Sequence, residues 1–163
     1  MSSHQIIPAE IVDDSFARAL ARLAADEQIE TILEIGSSSG EGSTASLVSG
    51  LRKRRHRPHL FCLEISRERF ALLQRRYADV PEVHCYNAAA VPIAEEMSEE
   101  AVRDFCLHHR PFYKAETALR WRQEGHDYIL GEKIPQDGIA RIKREHGIEC
   151  FDAVVIDGGE FSG

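Results

Sequence analysis

The sequence lacks the marks of several protein classes. No Cys-x-x-Cys pair occurs among its 4 cysteines, and no segment approaches the roughly 18 apolar residues of a membrane span. The N-terminus lacks the basic stretch and apolar run of a secretory leader. Positive charge is scarce, since 27 acidic residues outnumber 20 basic ones and the formal net charge is −7. These absences predict a cytoplasmic protein whose main partner is neither nucleic acid nor a membrane.

Metal-ligand patterns are absent as well. The 8 histidines are scattered, and none has the helical spacing or the cysteine company of a zinc site. We therefore predict no metal, solvent-exposed histidines and buried free thiols. Internal repeats and low-complexity segments are also missing from the 163 residues, of which 43% are hydrophobic and 29% charged. That composition and length predict a single soluble globular domain over residues 1–163.

Short β-branched runs alternate with helical patterns along the chain. The alternation is typical of a parallel sheet with helices on its faces, so we predict an α/β, Rossmann-like, doubly wound and mostly parallel sheet with flanking helices. The predicted strands are residues 31–35, 59–64, 83–86 and 151–157, and the predicted helices are residues 11–24 (opened by Pro8), 45–54 and a third beginning after Ser66.

A long helical insert separates the third and fourth predicted strands. It spans about residues 94–149, far more than a usual connection between elements. Its apolar periodicity predicts helices at residues 98–108, 115–128 and 137–146. The insert is either a cap over a ligand cleft or additional helical packing on the sheet, and the sequence does not decide between them.

The first strand is followed by a loop built for close approach of a ligand. Every residue from 36 to 44 is glycine, serine or threonine, apart from Glu41. Glycine permits positive φ, and the helix that follows offers unpaired N–H groups. A dinucleotide fingerprint would need glycine where Ser38 and Glu41 stand, and no Gly-Lys-Ser/Thr phosphate loop is present. The loop thus predicts a ligand site of another kind beyond the carboxyl ends of the strands.

The loop and two strand ends together resemble a known family. Glu34, Gly36 and Gly40 match the acidic-x-Gly-x-Gly-x-Gly motif I of class I S-adenosylmethionine-dependent methyltransferases, and Ser38 replaces the middle glycine, as in small-molecule O-methyltransferase-like members. The end of the fourth strand, Val-Ile-Asp157-Gly, resembles motif IV of the same family. The resemblance covers the N-terminal, cofactor-binding portion of the family and most of this chain outside residues 94–149.

The resemblance implies S-adenosylmethionine as cofactor and an unknown small molecule as methyl acceptor. It implies that Glu64 accepts hydrogen bonds from the ribose hydroxyls, that Asn87 and Ala88 contact adenine, and that Glu34 acts on the cofactor directly or through the loop. Asp157 is the one candidate for a catalytic role, and no general base or metal ligand is named. The predicted cofactor-binding residues are Glu34, Gly36, Ser37, Ser38, Ser39, Gly40, Gly42, Ser43, Glu64, Ile65, Asn87, Ala88 and Asp157.

Other interpretations of these residues remain open. Glu64 could be an exposed acid paired with Arg67 or Arg69, and Asp157 could cap the turn that follows it. At the level of function, the alternatives are an NAD(P)-binding Rossmann oxidoreductase and a non-catalytic, methyltransferase-like binding or assembly module. The second alternative arises because the family pattern continues with three more strands, so the sheet is expected to be truncated after the fourth.

The fourth predicted strand, residues 151–157, is apolar on both faces. A strand of that kind belongs in the middle of a sheet. Its inner neighbour should be the strand at residues 31–35. We therefore predict that its outer edge either pairs with a second copy in a homodimer or is covered by the insert.

Overall fold

The computed structural model describes residues 11–56, 58–109 and 114–157 of the chain. A short 3₁₀ helix, Ile93–Glu95, follows the third strand. The other elements, in chain order, are α1 (Ser15–Ala24), β1 (Thr31–Ile35), α2 (Ser43–Leu51), β2 (His59–Leu63), α3 (Arg67–Arg76), β3 (Val83–Tyr86), α4 (Glu99–His109), α5 (Ala115–Gly131), α6 (Gly138–His146) and β4 (Ala153–Ile156).

The four strands form one parallel sheet in the order β3-β2-β1-β4. β1 pairs with β2 from Thr31 opposite His59 and with β4 from Ile32 opposite Ala153. The chain thus builds outward from β1 to β3 and then returns to the other side of β1. This reversal makes the junction of β1 and β4 the switch point of the sheet, where ligands of such folds bind beyond the carboxyl ends.

Helices cover both faces of the sheet. α1, α2 and α3 pack on the face that carries Ile32 and Leu60, whereas α6 packs on the face that carries Leu33, Phe61 and Leu63. All these strand residues are buried. The predicted fold class, a Rossmann-like, doubly wound parallel sheet with flanking helices, is confirmed.

Helix α1 begins four residues later than predicted. The Asp14 side chain accepts a hydrogen bond from the Ala17 N–H at 2.7 Å and caps the helix at Ser15, while Asp13 has a φ of 53°. This capping carboxylate was the competing signal, since apolar periodicity alone placed the start at residue 11. Pro8, the predicted opening residue, lies outside the described residues.

The insert divides between the sheet and a separate small core. α6 packs on the sheet, and α4 contacts α5 through Val102 and Ala118. A buried polar group fastens α5 to the segment after β3, since Glu96 lies 2.5 Å from His126 Nε2 and 3.4 Å from Arg122 Nε. His126 is therefore buried, and the prediction of exposed histidines is wrong at this position because a carboxylate partner replaces water.

Strand β4 does not have the buried environment predicted for it. It pairs with β1, as predicted, but Val154 is 50% exposed and Ile156 is 65% exposed. The insert covers Leu33 on the same face and leaves these two side chains open, so the alternative in which the insert covers β4 is wrong. Within the described residues, β4 is an edge strand.

The cysteines are all free thiols, as predicted, yet they differ in exposure. Cys62 is buried, whereas Cys150 is exposed, so burial was wrong for the latter. In the part of the chain that the structure describes, none of the helices has the length and apolar character needed to cross a membrane.

Candidate functional site

The loop from β1 to α2 has a backbone that few residues can adopt. Gly36, Ser38 and Gly40 have φ values of 87°, 49° and 79°. Glycine reaches this left-handed region without strain, whereas serine enters it at some energetic cost. Ser38 nevertheless has the positive φ that is expected of the glycine it replaces in the motif. A Cβ on Gly40 would lie 2.6 Å from Tyr77 Cε2, and the Tyr77 hydroxyl donates to Gly40 O at 2.5 Å. The loop therefore lies tightly against the end of α3.

Most of the amides in the first half of this loop are used within the protein. Gly36 N and Ser37 N donate to Leu63 O at 2.9 and 3.0 Å, and Gly40 N donates to Ser37 O at 3.0 Å. Ser38 N donates to Glu64 Oε2 at 2.8 Å. A phosphate cradle works by offering such N–H groups to the ligand, so these four amides do not serve a pyrophosphate.

Glu64 lies just beyond the end of β2 and holds two segments together. Its Oε1 accepts from Ser66 N at 2.7 Å, in addition to the bond from Ser38. The carboxyl group is buried, 4% exposed, so the alternative of an exposed surface acid is wrong. Burial raises the pKa of Glu64, and the Ser66 N–H, Arg69 and the Ser38 N–H oppose that rise. Each carboxylate oxygen retains a lone pair for a hydroxyl donor.

Asn87 ties the end of β3 to the end of β2. Its Nδ2 donates to Glu64 O at 2.8 Å and to Ile65 O at 2.9 Å. Ala88 is buried against the α6 side, and Ile65 packs on the small core formed by Ala89 and the insert. Asn87 and Ala88, which the resemblance implies contact adenine, lie just beyond β3, and Ile65, another predicted cofactor-binding residue, lies beyond the end of β2.

Glu34 lies under the loop rather than at its surface. Its Oε2 accepts from Thr44 Oγ1 at 2.6 Å, and Oε1 has no hydrogen-bond partner although the residue is fully buried. Ser37 Oγ is buried and unpartnered in the same way. Burial raises the pKa of Glu34, while the hydroxyls of Ser37, Thr44 and Ser43 lower it. Glu34 thus shapes the loop from below.

Ser43 and Asp157 join the first helix of the site to β4. Ser43 Oγ donates to Asp157 Oδ2 at 2.9 Å, and Asp157 N donates to Ile35 O at 2.8 Å. Gly42 is the N-cap of α2, so the hydroxyls of Ser43 and Thr44 do not cap this helix. The two hydroxyls bind Asp157 and Glu34 instead. The turn that Asp157 was alternatively expected to cap continues into residues outside the described part of the chain.

Ser39 and Gly42 complete the set of predicted residues in the loop. Ser39 O accepts from Arg76 Nε at 3.3 Å, and Arg76 also forms an ion pair with Glu41. Sequence reasoning missed Tyr77 and Arg76 as residues that hold the loop. No local signal could have identified them, because each lies more than thirty positions along the chain from its partner.

The insert borders the site on the side of β2. The hydroxyl of Tyr128 on α5 accepts from Arg67 N at 3.0 Å, at the first turn of α3, and Arg67 forms an ion pair with Glu132 at 3.3 Å. Ile129 packs near Ile65. Of the two alternatives for the insert, packing on the sheet holds for α6. Helix α5 instead lies beside the candidate site.

The described residues contain no group of three or more His, Cys, Asp or Glu side chains that could hold a metal ion. What the geometry brings together is a tight glycine-serine loop, two buried carboxyl groups and one exposed carboxylate, Asp157, around the carboxyl ends of the strands.

No protein-family model matches this sequence, and no curated protein matches it. Among solved structures, the chain is similar to the crystal structure of the trans-methyltransferase CalH in complex with SAH, with 25% sequence identity and a TM-score of 0.35. The matched region covers 50% of this chain and 22% of that chain.

Proposed function

We propose that this chain binds S-adenosylmethionine at the carboxyl edge of its sheet and belongs to an S-adenosylmethionine-dependent methyltransferase that acts on a small-molecule acceptor. The observation that carries the proposal is the pairing of the loop with Glu64. The loop bends sharply enough for close approach of a ligand, but three of its backbone N–H groups already donate hydrogen bonds to Leu63 and Glu64. Such a loop suits an uncharged or cationic ligand better than a pyrophosphate.

Glu64 supplies the second part of the proposed site. A carboxylate fixed by two backbone N–H groups at the end of β2 is rigid, and its free lone pairs can accept from two neighbouring hydroxyls. The ribose of S-adenosylmethionine offers such a pair. The loop that Asn87 ties to Glu64 and Ile65 would then border the adenine ring, next to α5.

Glu34 acts through the loop in this proposal. Its carboxyl group is buried beneath Thr44 and reaches no solvent, so it supports the loop and places negative charge near the ligand without touching it. Asp157, which is exposed and oriented by Ser43, lies at the switch point and is the proposed residue nearest the methyl acceptor.

Isothermal titration with S-adenosylmethionine, S-adenosylhomocysteine and NADH tests this proposal. We expect both sulfur ligands to bind and NADH not to bind. Glu64→Ala should weaken binding by about 1.5 to 3 kcal/mol, or roughly ten- to a hundredfold, because charge-assisted hydrogen bonds to the ribose are lost. Glu99→Ala is the matched control, since Glu99 is an exposed acid in the first turn of α4 and lies outside the loop, and it should change affinity little.

The oxidoreductase alternative makes the opposite prediction. Binding of NADH together with no binding of either sulfur ligand by the folded chain would overturn the proposal. The module alternative is separated by a different measurement, the transfer of a labelled methyl group to a panel of small acceptors. Binding without transfer in the whole protein that contains this chain would favour the module.

A further inference from the structure

Glu34 is a buried acid whose hydrogen bonding is incomplete. The residue is fully buried, one oxygen accepts from Thr44, and the other oxygen has no partner. An ionised carboxylate in such a place is costly, since it normally requires several donors or a cation. Ser37 Oγ is also buried without a hydrogen-bond partner, and its hydroxyl lies near enough to this carboxyl group to lower the pKa of Glu34.

The groups that surround Glu34 come from three elements, and none of those that act on it is a cation. The loop and α2 contribute the hydroxyls of Ser37, Ser43 and Thr44, and β2 contributes the thiol of Cys62. Beyond the end of β2 lies Glu64, and near the end of α3 lies Tyr77; a negative charge on Glu34 raises the pKa of both. Burial raises the pKa of Glu34 itself, and it outweighs these hydroxyls and this thiol, which lower that pKa. The surroundings thus favour a neutral carboxylic acid.

We propose that Glu34 carries a proton in the empty protein and that a cationic ligand binds by exchange with that proton. This inference rests on the proposed function, because S-adenosylmethionine brings a sulfonium and an ammonium group to the loop above Glu34. No covalent bond changes between ligand and protein. The proton leaves Oε1 for the buffer, the carboxylate becomes negative, and the positive charge of the ligand takes the proton's place. Glu34 acts here as a positioning residue, since it reaches the ligand only through the loop.

The sign of the resulting pH dependence follows from linkage. In the empty protein Glu34 holds its proton to a higher pH than an ordinary glutamate, and in the complex the cation favours its release. Between those two pKa values the affinity rises with pH, by up to about tenfold per unit when one proton is released. Above the pKa of the empty protein the affinity no longer depends on this group.

The test is isothermal titration of S-adenosylmethionine in buffers of different ionisation enthalpy, repeated from about pH 5 to about pH 8. For the wild-type chain we expect an observed enthalpy that varies with the buffer, corresponding to release of up to one proton, and an affinity that falls toward acid pH. Glu34→Gln mimics the protonated acid, since its amide can accept from Thr44 and donate toward Ser37. In this variant we expect proton release to disappear and the affinity to lose its pH dependence.

Two further variants separate the sources of a proton. Glu41→Gln, at the exposed acid of the same loop, should release the proton as the wild type does. Glu64→Gln should bind more weakly yet still release it. Wild-type binding without buffer-dependent enthalpy would overturn the inference while leaving the proposed function intact, and so would proton release that survives in Glu34→Gln and vanishes in Glu64→Gln. Failure of the wild type to bind at all would instead contradict the proposed function. Should Glu34→Gln not fold, the buffer series on the wild type and Glu64→Gln still decides.

Discussion

The two ends of the parallel sheet differ in how completely their acidic side chains are hydrogen-bonded. At the amino edge, Asp152 accepts from Glu30 N, Thr31 N and Thr31 Oγ1 at 2.9 to 3.0 Å, and these donors lower its pKa. At the carboxyl edge, burial raises the pKa of Glu34, which has one short bond from Thr44. The charged form of Asp152 therefore stabilises the fold, whereas the charged form of Glu34 destabilises it.

The same contrast holds for the cations and the backbone. Arg54, almost fully buried at the amino edge, bonds to Ile29 O and forms ion pairs with Glu27 and Glu30. The carboxyl edge instead carries three left-handed residues in one short loop. The charged groups of Asp152 and Arg54 at the amino edge are thus paired with backbone and side-chain partners. Ser38, with its left-handed backbone, and two buried oxygens without a hydrogen-bond partner, Glu34 Oε1 and Ser37 Oγ, lie where we propose that the ligand binds.

The largest effect on stability should come from the amino edge. Arg54→Ala removes a buried guanidinium and leaves the carbonyl of Ile29 without its donor, so we expect a loss of about 3 kcal/mol in the free energy of unfolding. Urea denaturation measures it, with the exposed Arg55→Ala as control, for which we expect less than about 0.5 kcal/mol. If Arg54→Ala lost as little free energy of unfolding as the control, the contacts of Arg54 at the amino edge would not stabilise the fold.

The second-largest effect is expected from a variant in the loop at the carboxyl edge. Gly40→Ala places a Cβ against Leu73 and Tyr77 at a φ of 79°, so we expect a loss of about 2 kcal/mol in stability and loss of S-adenosylhomocysteine binding. In Gly131→Ala, the added Cβ at the end of α5 meets nothing within 4 Å, and stability should be unchanged or slightly raised. Calorimetric unfolding and titration of both variants provide the comparison, and normal ligand binding by Gly40→Ala would show that the loop geometry is irrelevant to the site.

The pH dependence of stability should have opposite signs at the two edges. Burial, with His146 and His59 nearby, lowers the pKa of His84 near the amino edge to about 4. Its protonated form is therefore disfavoured in the fold, and stability falls as the pH drops from about 6.5 toward 4. Because the imidazole is partly solvated, we expect only about 1 to 2 kcal/mol by this route.

His84→Asn should flatten this acid limb, whereas His108→Asn, at an exposed position of α4, should not. Glu34 acts in the other direction. Its raised pKa means that the fold loses stability as the pH rises through that pKa, so Glu34→Gln should be more stable than the wild type at neutral pH. Denaturation curves at about pH 5 and about pH 7.5 check both limbs. Equal pH profiles for all three variants would contradict the assignment.

How far the sequence predicted the molecule depends on how local each signal was. The strands at Thr31–Ile35 and Val83–Tyr86 were predicted to the residue, because β-branched and aromatic runs bounded by turn residues carry the information locally. Composition alone, in contrast, made β4 look buried on both faces. Its two exposed side chains follow from the arrangement of the insert, which periodicity cannot predict.

The site shows the same division. The bend at Gly36 and the acid at Glu64 were visible in the sequence, since glycine and a strand-terminal carboxylate have local meaning. The bond between Ser43 and Asp157 joins residues 114 positions apart, and the buried pair of Glu96 and His126 spans 30 positions. Contacts of this kind depend on the tertiary arrangement, so single-residue patterns did not contain them.

The smallest expected effect concerns the exposed edge of β4. We propose that this edge mediates weak self-association, because within the described residues β4 has a neighbour on one side alone, and an open strand edge with two exposed apolar side chains is a template for pairing with another copy. Light scattering should show an apparent mass that rises with concentration. Val154→Lys should abolish the rise without changing ligand affinity. A mass that stays monomeric at every concentration would remove this proposal.

The most direct test of the central claim is a structure of the chain with S-adenosylhomocysteine bound. We predict that the ribose hydroxyls lie within hydrogen-bond distance of the Glu64 carboxylate and that the adenine ring lies beside Ile65 and Asn87. The amino acid portion of the ligand should lie over the loop from Gly36 to Gly42. A ligand bound elsewhere on the chain, with the Glu64 oxygens contacting only Ser38 and Ser66, would contradict it.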